Sequence, residues 1–406
     1  MEIKYGLISC DSHGQLHKDA WIERMPKKWG EKIPQVRETS DKKYLAVDWG
    51  DKVFERWFVN GEMMGNRGVC NCPTVMQDPK WGEPGAHRKY FPQRWSDVPD
   101  YVYDPGKRLA ALDKDGVDAE VLFPDDPVVF GFFQGKDAAF ELDATKAYND
   151  GIAEWRRISD RYIPLAVPPM LGGIETTVAE VERSVKIGHK GITMLAEPST
   201  VGLGAFPGLG LPAGLTLPHF NDRYWDPLWV SCQDMNIAVH WHASAGVRLE
   251  APMWNGYTRN EGQAVGPTQS FSAIAQFIPN LIFSGNLDRY PMLKWVCAET
   301  GLGWVNYIIE GCDHEWERRH LWTEGIVDRP SDLFRRQILV DFWYEKAGVE
   351  LRHNIGINNV MWESDYPHST STWPESWDFV NRALAGVPQD ERDQMIYKNA
   401  LALYYS

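Results

Sequence analysis

From Pro105 onward, apolar and polar positions fall into a repeating order. Pro105 to Asp115 has helical spacing, with Gly116 as its stop. Glu120-Val121-Leu122-Phe123 is an apolar run of strand length. The alternation then continues. Helices are predicted over Ala138 to Ser159, Ile174 to Ile187, Asp226 to Met235, Pro267 to Gln276 and Trp304 to Arg319. Strands are predicted over Ile163 to Val167, Gly191 to Leu195, Ile237 to His242, Lys294 to Ala298, Ile338 to Phe342 and Val360 to Trp362. Tyr5 to Ile8 supplies a first strand, and Gln389 to Tyr405 a closing helix packed on the outside. Strand-like runs separated by helical ones predict the α/β class, with a TIM-like (β/α)8 barrel as the architecture.

Two stretches break the rhythm. Pro198 to Phe220, rich in Gly, Pro and Leu, reads as a large loop. The other lies between the first strand and the first barrel helix. Lys18 to Trp29 reads as a loop with a helical turn. Tyr44 to Val47 and Val53 to Val59, joined at Asp48 to Asp51, predict a β-hairpin. Gly61 to Asp104 has no steady period. This insertion, residues 40–104, leaves the end of the first strand where barrels build their sites. It is expected to serve as a lid over the mouth or as an oligomer contact. Otherwise residues 1–406 are read as one domain.

Composition narrows the classes of function. Hydrophobic residues make up 43% of the 406, enough for a large core. The formal net charge of −14 and a pI near 5.3 exclude nucleic acid and anionic membrane as natural partners. No apolar stretch has membrane length, and Met1-Glu2-Ile3-Lys4 enters the first strand without a signal peptide, so a cytoplasmic protein is expected. The six cysteines are scattered. Cys70 and Cys72 are too close in sequence for an easy disulfide, so reduced thiols are expected. Nineteen tryptophans offer aromatic walls suited to a small apolar or aromatic ligand.

The candidate chemistry gathers at strand ends. Asp11 and His13, two apart, leave one face of the first strand together. The last strand runs into Asp365, followed by Tyr366-Pro367-His368, a Ser/Thr-rich turn, and a helix expected to open at Pro374. Asp365 is either a functional acid at a strand end or the cap of a turn. His240 and His242 share one face of the fifth strand. Glu299 ends the sixth. His368 would polarise a substrate carbonyl or pack at a helix entrance. Arg248, in the loop after the fifth strand with Trp254 and Tyr257 beyond it, would bind a carboxylate or simply be solvated.

These motifs together resemble the amidohydrolase superfamily, in the branch that also contains the aminocarboxymuconate semialdehyde and resorcylate decarboxylases. The resemblance spans nearly the whole chain. It is carried by Asp11-Ser12-His13, by Leu109 to Pro124, by Tyr148-Asn149-Asp150, by Phe283-Ser284-Gly285, by Tyr290-Pro291, by Ala298 to Val305 and by Glu363 to His368. It implies a metal-dependent barrel with a mononuclear site of Asp11, His13, His242 and Asp365, with Glu299 close by. His240 would then lie one layer deeper, where it orients a ligand or contacts substrate. The chain departs from the family pattern in two places. Glu299 stands where histidine is usual, which leaves it as ligand, base or structural residue. Asp11 replaces the first histidine of many relatives. Oxygen donors harden the site, so one divalent ion is expected, zinc first and manganese second. Met194-Leu195-Ala196-Glu197 carries no lysine where binuclear relatives need one.

The resemblance implies an enzyme acting on a small molecule, as a homo-oligomer and most simply a dimer. The leading expectation is a hydrolase that opens a cyclic or aromatic amide, lactone or C–C substrate with a metal-activated water. Asp365, Glu299 and His368 would be its catalytic groups. The alternative is a metal-dependent, non-oxidative decarboxylase of an aromatic or unsaturated acid. A barrel that only binds a metabolite is a third reading.

Overall fold

The computed structural model describes residues 1–406 except 44, 46–47, 65–66, 74–88, 129–136, 201–216, 244–255 and 258. Eleven strands are named among the described residues. They are β1 Ile8–Gly14, β2 Gln35–Thr39, β3 Phe54–Val59, β4 Glu62–Met63, β5 Ala119–Pro124, β6 Tyr162–Ala166, β7 Gly191–Thr193, β8 Ala238–His242, β9 Trp295–Ala298, β10 Ile338–Phe342 and β11 Val360–Trp362. Eight of them form one sheet in the order β1-β5-β6-β7-β8-β9-β10-β11. Neighbours such as β1–β5, β8–β9 and β10–β11 run parallel. This is the strand order of an α/β barrel, as the sequence pattern predicts. No helix among the described residues is long and apolar enough to cross a membrane.

The chain divides into two compact units. The first holds Met1–Lys190 and Ser364–Trp377; the second holds β7, Leu217–Glu363 and Asp378–Ser406. In the first unit, the helix Pro105–Asp115 starts on Asp104, whose carboxylate accepts from the amides of Gly106 and Lys107 at 2.8 and 3.1 Å. It stops at Gly116, which takes φ 70°. The turn after the last strand docks on this helix. Ser376 donates to the Asp115 carboxylate from its amide and its hydroxyl, and the Trp377 indole donates to the Gly116 carbonyl. Burial pushes the Asp115 carboxyl up to about 6 despite the two Ser376 bonds.

The insertion belongs to the first unit and carries its own three-stranded sheet, order β2-β3-β4. The sequence pairs the 53–59 strand with residues 44–47. In the structure its antiparallel partners are β2 and β4. The hairpin turn is Asn60-Gly61, both with positive φ. Leu45 is not in a strand, and residues 44, 46 and 47 lie outside the described residues. Arg37 pairs with Arg56 in register, and Trp57 is fully buried against Trp21 with ring centroids 5.5 Å apart. That apolar anchor fixes which face of β3 turns inward.

Three further expectations shift. The first strand begins at Ile8, not Tyr5, so Asp11 and His13 lie within it. The main-chain amides of Lys4, Tyr5, Gly6 and Leu7 instead wrap the Asp118 carboxylate, which takes that stretch out of the sheet. The expected helix at Pro267 is the helix Arg259–Ser270 with Pro267 inside it, then a short turn Ala273–Gln276. The helix after the last strand opens at Ser376, so Pro374 precedes it. The closing helical stretch runs as Gln389–Asp393, a wider π turn Gln394–Lys398, and Asn399–Tyr404.

Candidate metal centre and acid site

In the first unit the site grows from β1. This strand is buried along its whole length. Its register with β5 shifts between Ser9 and Ser12, an irregularity that re-aims side chains at a strand end. The segment after β11 lies along it. The Asp365 amide donates to the Asp11 carbonyl at 2.9 Å, and the His13 amide donates to the Tyr366 carbonyl at 2.6 Å. Ser364 is fixed by its amide donating to the Ser9 hydroxyl at 2.9 Å. The Tyr366 carbonyl also takes a bond from Arg108, itself locked bidentately to Glu120 at 2.6 and 2.8 Å in the interior. First and last barrel segments are thereby held in one register, which brings Asp11, His13, Asp365 and His368 together.

Asp365 sits at φ 57°, a left-handed conformation a non-glycine residue adopts only when its surroundings hold it there. Its carboxylate is fully buried. His13 Nε2 lies 3.3 Å from Asp365 Oδ1 and 3.5 Å from Asp11 Oδ1. His368 Nδ1 lies 3.0 Å from Asp365 Oδ1, and Thr370 donates to Asp365 Oδ2. The His368 ring stacks on His13, centroids 3.7 Å apart and planes 20° from parallel.

Burial alone would raise the Asp365 carboxyl. The charge of His368 and its hydrogen bond overcome it and hold that carboxyl well below the usual range. Burial likewise opposes a charged His368, yet Asp365 and Asp125 hold its pKa well above that of a free imidazole. His13 goes the other way: burial and the charge of His368 lower it.

The donor set fits a divalent ion. His13 Nδ1 lies 3.0 Å from the Pro124 carbonyl, which only an N–H can satisfy. With His13 neutral, Nε2 is then a lone pair. It faces carboxylate oxygens of Asp11 and Asp365 at distances longer than good hydrogen bonds. Lone pairs converging at about 3 Å are repulsive unless a cation lies among them, and ligands of one ion with bonds near 2.1 Å are spaced this way. The Nδ1 bond to a carbonyl is the usual means of orienting a ligating histidine. In the first unit Asp11, His13 and Asp365 would supply ligand atoms to such an ion.

The second unit carries the remaining expected residues. His242 ends β8, and its Nε2 lies 3.3 Å from Glu299 Oε2. Glu299 follows β9 at φ 55°, with its amide donating to Glu363 Oε2 at 2.8 Å. His240 is fully buried, with Nδ1 3.0 Å from the Ile192 carbonyl and Nε2 2.8 Å from the Tyr404 hydroxyl. Burial pushes it down to about 4. Both its nitrogens serve the fold, tying β8 to the terminal helix. Tyr257 is on the surface. Arg248 and Trp254 lie outside the described residues.

Two sets of acids escape the sequence reading. Asp125, immediately after β5, is buried with Oδ2 3.7 Å from His368 Nε2. An acid just past a predicted strand is the same pattern that marks Asp365, so the signal was present. Asp341, inside β10, and Glu363 are buried together in the second unit. Burial raises both carboxyls well above the ordinary range, and the charge of Asp341 adds to the rise at Glu363. Asp341 sits mid-strand in an apolar run, where nothing in the sequence distinguishes it.

The amidohydrolase family model matches residues 79–405. The chain is 26% identical over 277 residues to 2-amino-3-carboxymuconate-6-semialdehyde decarboxylase of Dictyostelium discoideum, covering 65% of this chain and 67% of that protein. Among solved structures it is similar to an amidohydrolase from Mycobacterium avium subsp. paratuberculosis K-10, with TM-score 0.72 and 20% identity, covering 99% and 98% of the two chains. It is also similar to a dihydroxybenzoic acid decarboxylase from Polaromonas sp. JS666 solved with bound manganese and the inhibitor 2-nitroresorcinol. There the TM-score is 0.56 and the identity 19%, covering 81% of this chain and 90% of that one.

Proposed function

We propose, on the premise that this chain belongs to the amidohydrolase family, that it is a metal-dependent, non-oxidative decarboxylase of an aromatic or unsaturated carboxylic acid. This reverses the order expected from the sequence, where hydrolysis led and decarboxylation was the alternative. The similarity to a muconate-semialdehyde decarboxylase supports the change. The observation that carries it is His368, an imidazole set between Asp365 and Asp125 and held as an acid.

Hydrolysis needs a base that takes a proton from water, and Asp365 is made a poor base by the charged His368 against it. Decarboxylation needs the reverse. The C–C bond to the carboxylate breaks, its electron pair stays on the carbon, CO2 leaves, and the carbon takes up a proton. His368 is the group placed to give that proton, and solvent restores it. Asp11, His13, His242 and Asp365 would hold the ion. Bound there, it would polarise the substrate carboxylate and a neighbouring hydroxyl. Two carboxylates among four donors favour manganese over zinc. Asp365 anchors His368 and, through its amide, β1. Glu299 lies against His242 and steadies it. The insertion acts as a lid: its Asn71 reaches Asp125 at the C-terminal end of β5.

The test is a panel of dihydroxybenzoates and unsaturated carboxylates given to protein stripped with chelator and reloaded with manganese or zinc. Release of CO2 that requires the metal is expected. Metal-dependent opening of a lactone or amide, with no CO2 from any acid, would restore the hydrolase reading.

A further inference from the structure

The acid of this site is oriented from outside the barrel strands. The His368 ring plane is set by stacking on His13. Its rotation within that plane is set by carboxylates at its two nitrogens, Asp365 at 3.0 Å from Nδ1 and Asp125 at 3.7 Å from Nε2. At 3.7 Å the Asp125 contact is an ion pair beyond hydrogen-bond length, so it steers the ring through its charge. Asp125 can do this only if its own rotation is fixed. Its Oδ1 accepts from the Asp126 amide at 2.8 Å and from Asn71 Nδ2 at 3.2 Å, which leaves Oδ2 turned to the imidazole. Asn71 belongs to the insertion, between Cys70 and Cys72, both buried. Its backbone is pinned on either side. The Val69 amide donates to the Pro92 carbonyl and the Cys72 amide to the Tyr90 carbonyl, each at 2.9 Å.

We infer that Asp125 and Asn71 are positioning residues for His368, so that the insertion completes the acid's geometry as well as covering the site. This rests on the reading of His368 as the acid. The physical argument is one of reach. A proton donor misplaced by about 1 Å costs on the order of 10²-fold in rate. Without Asn71 the Asp125 carboxylate can rotate, and the charge facing His368 Nε2 is no longer fixed in position. Asn71 donates to Asp125, so its effect should pass through that carboxylate.

The experiment uses the full chain, manganese-loaded, as Asn71→Ala, Asn71→Asp and Asp125→Asn variants. Three readouts are taken: kcat and KM for an acid turned over by the wild type, manganese content, and the imidazole NMR signals of His368, identified by their loss in His368→Gln. The expected result is a kcat lower by about 10²-fold for Asp125→Asn and about tenfold for Asn71→Ala. KM should stay within about threefold and manganese content should not change. Asn71→Asp, which sets a second carboxylate against Asp125, should exceed Asn71→Ala. The His368 signals should shift or broaden in all three. A raised KM with unchanged kcat in Asn71→Ala would overturn the inference in favour of a direct substrate contact. Manganese lost in proportion to activity would overturn it in favour of a ligand role. If the wild type turns over none of the acids, the decarboxylase reading fails, and the His368 signals alone decide the positioning role. Should Asp125→Asn not fold, the two Asn71 variants decide it.

Discussion

Glu363 and Asp365 are two residues apart, both fully buried, and carry opposite protonation preferences. Glu363 faces other acids. Asp341 and Glu299 add to the cost of burial, and its carboxyl is driven well up. Asp365 faces the charged His368, which outweighs the same burial and drives its carboxyl well down. Asp341 shows the limiting case: neither of its oxygens has a hydrogen-bond partner among the described residues. Burial alone therefore does not decide whether an interior acid is a charged group fit for an ion. Its neighbours decide, and the neighbours are chosen by which strands meet. The acid beside imidazoles is the one fit to meet a cation. The acids beside acids are fit to stay neutral and to accept main-chain donors, as Glu363 does from Glu299.

The largest way to break this contrast is Asp365→Asn. Removing the charge takes away a proposed ligand and the partner of two imidazoles. Manganese content should fall to background and kcat/KM by roughly 10³-fold or more, as loss of several kcal/mol of metal stabilisation implies. Metal analysis and turnover on one preparation check it. Next is His368→Gln. Manganese should remain while kcat drops by about 10²–10⁴-fold, the usual worth of a general acid. Unchanged turnover would remove His368 from the chemistry.

Glu299→Gln sharpens the other side. As the partner of His242, Glu299 should matter through the ligand it steadies, so manganese affinity should weaken by about 10–100-fold. Turnover at saturating manganese should fall far less. A large loss of kcat at full occupancy would make Glu299 a base.

The smallest effect is expected for Glu363→Gln at neutral pH. A neutral carboxyl and an amide are close in shape, so stability at pH 7 should change by under about 1 kcal/mol. The pH slope is the informative part. A carboxyl whose folded pKa is raised contributes stability fully below its unfolded value near 4, and loses it as pH rises through the folded value. Asp365, with its folded pKa depressed, contributes above the unfolded value and loses it as pH falls. Urea unfolding of metal-free protein should therefore weaken on the alkaline side, and Glu363→Gln should reduce that slope. An identical slope in the variant would mean that Glu363 is charged in the fold.

The sequence carries the barrel well because each helix and strand between Pro105 and Trp362 has a period of its own. Ile174–Ile187 and Ile338–Phe342 match their predicted bounds residue for residue. Asp365 and His368 were legible because they lie in the turn just past a predicted strand, and Asp11 and His13 because they stand two apart along the first strand. The partners of Phe54–Val59 were not legible: its inward face is fixed by packing Trp57 on Trp21, a contact between distant positions. His240 shows the limit of periodicity. It shares a strand face with His242, yet Tyr404, 164 positions away, takes its ring nitrogen. Asp125 carried a local signal, an acid just past a predicted strand, but Asn71 did not: their pairing joins the insertion to β5, and no local pattern reports it.

The measurement that bears most directly on the central claim is a turnover of carboxyl-labelled dihydroxybenzoate in heavy water with the manganese-loaded protein. The account predicts that each labelled CO2 released leaves one deuterium on the carbon it vacated, and that His368→Gln slows both together. No labelled CO2 from any acid tested, with a lactone or amide opened under the same conditions, would contradict it.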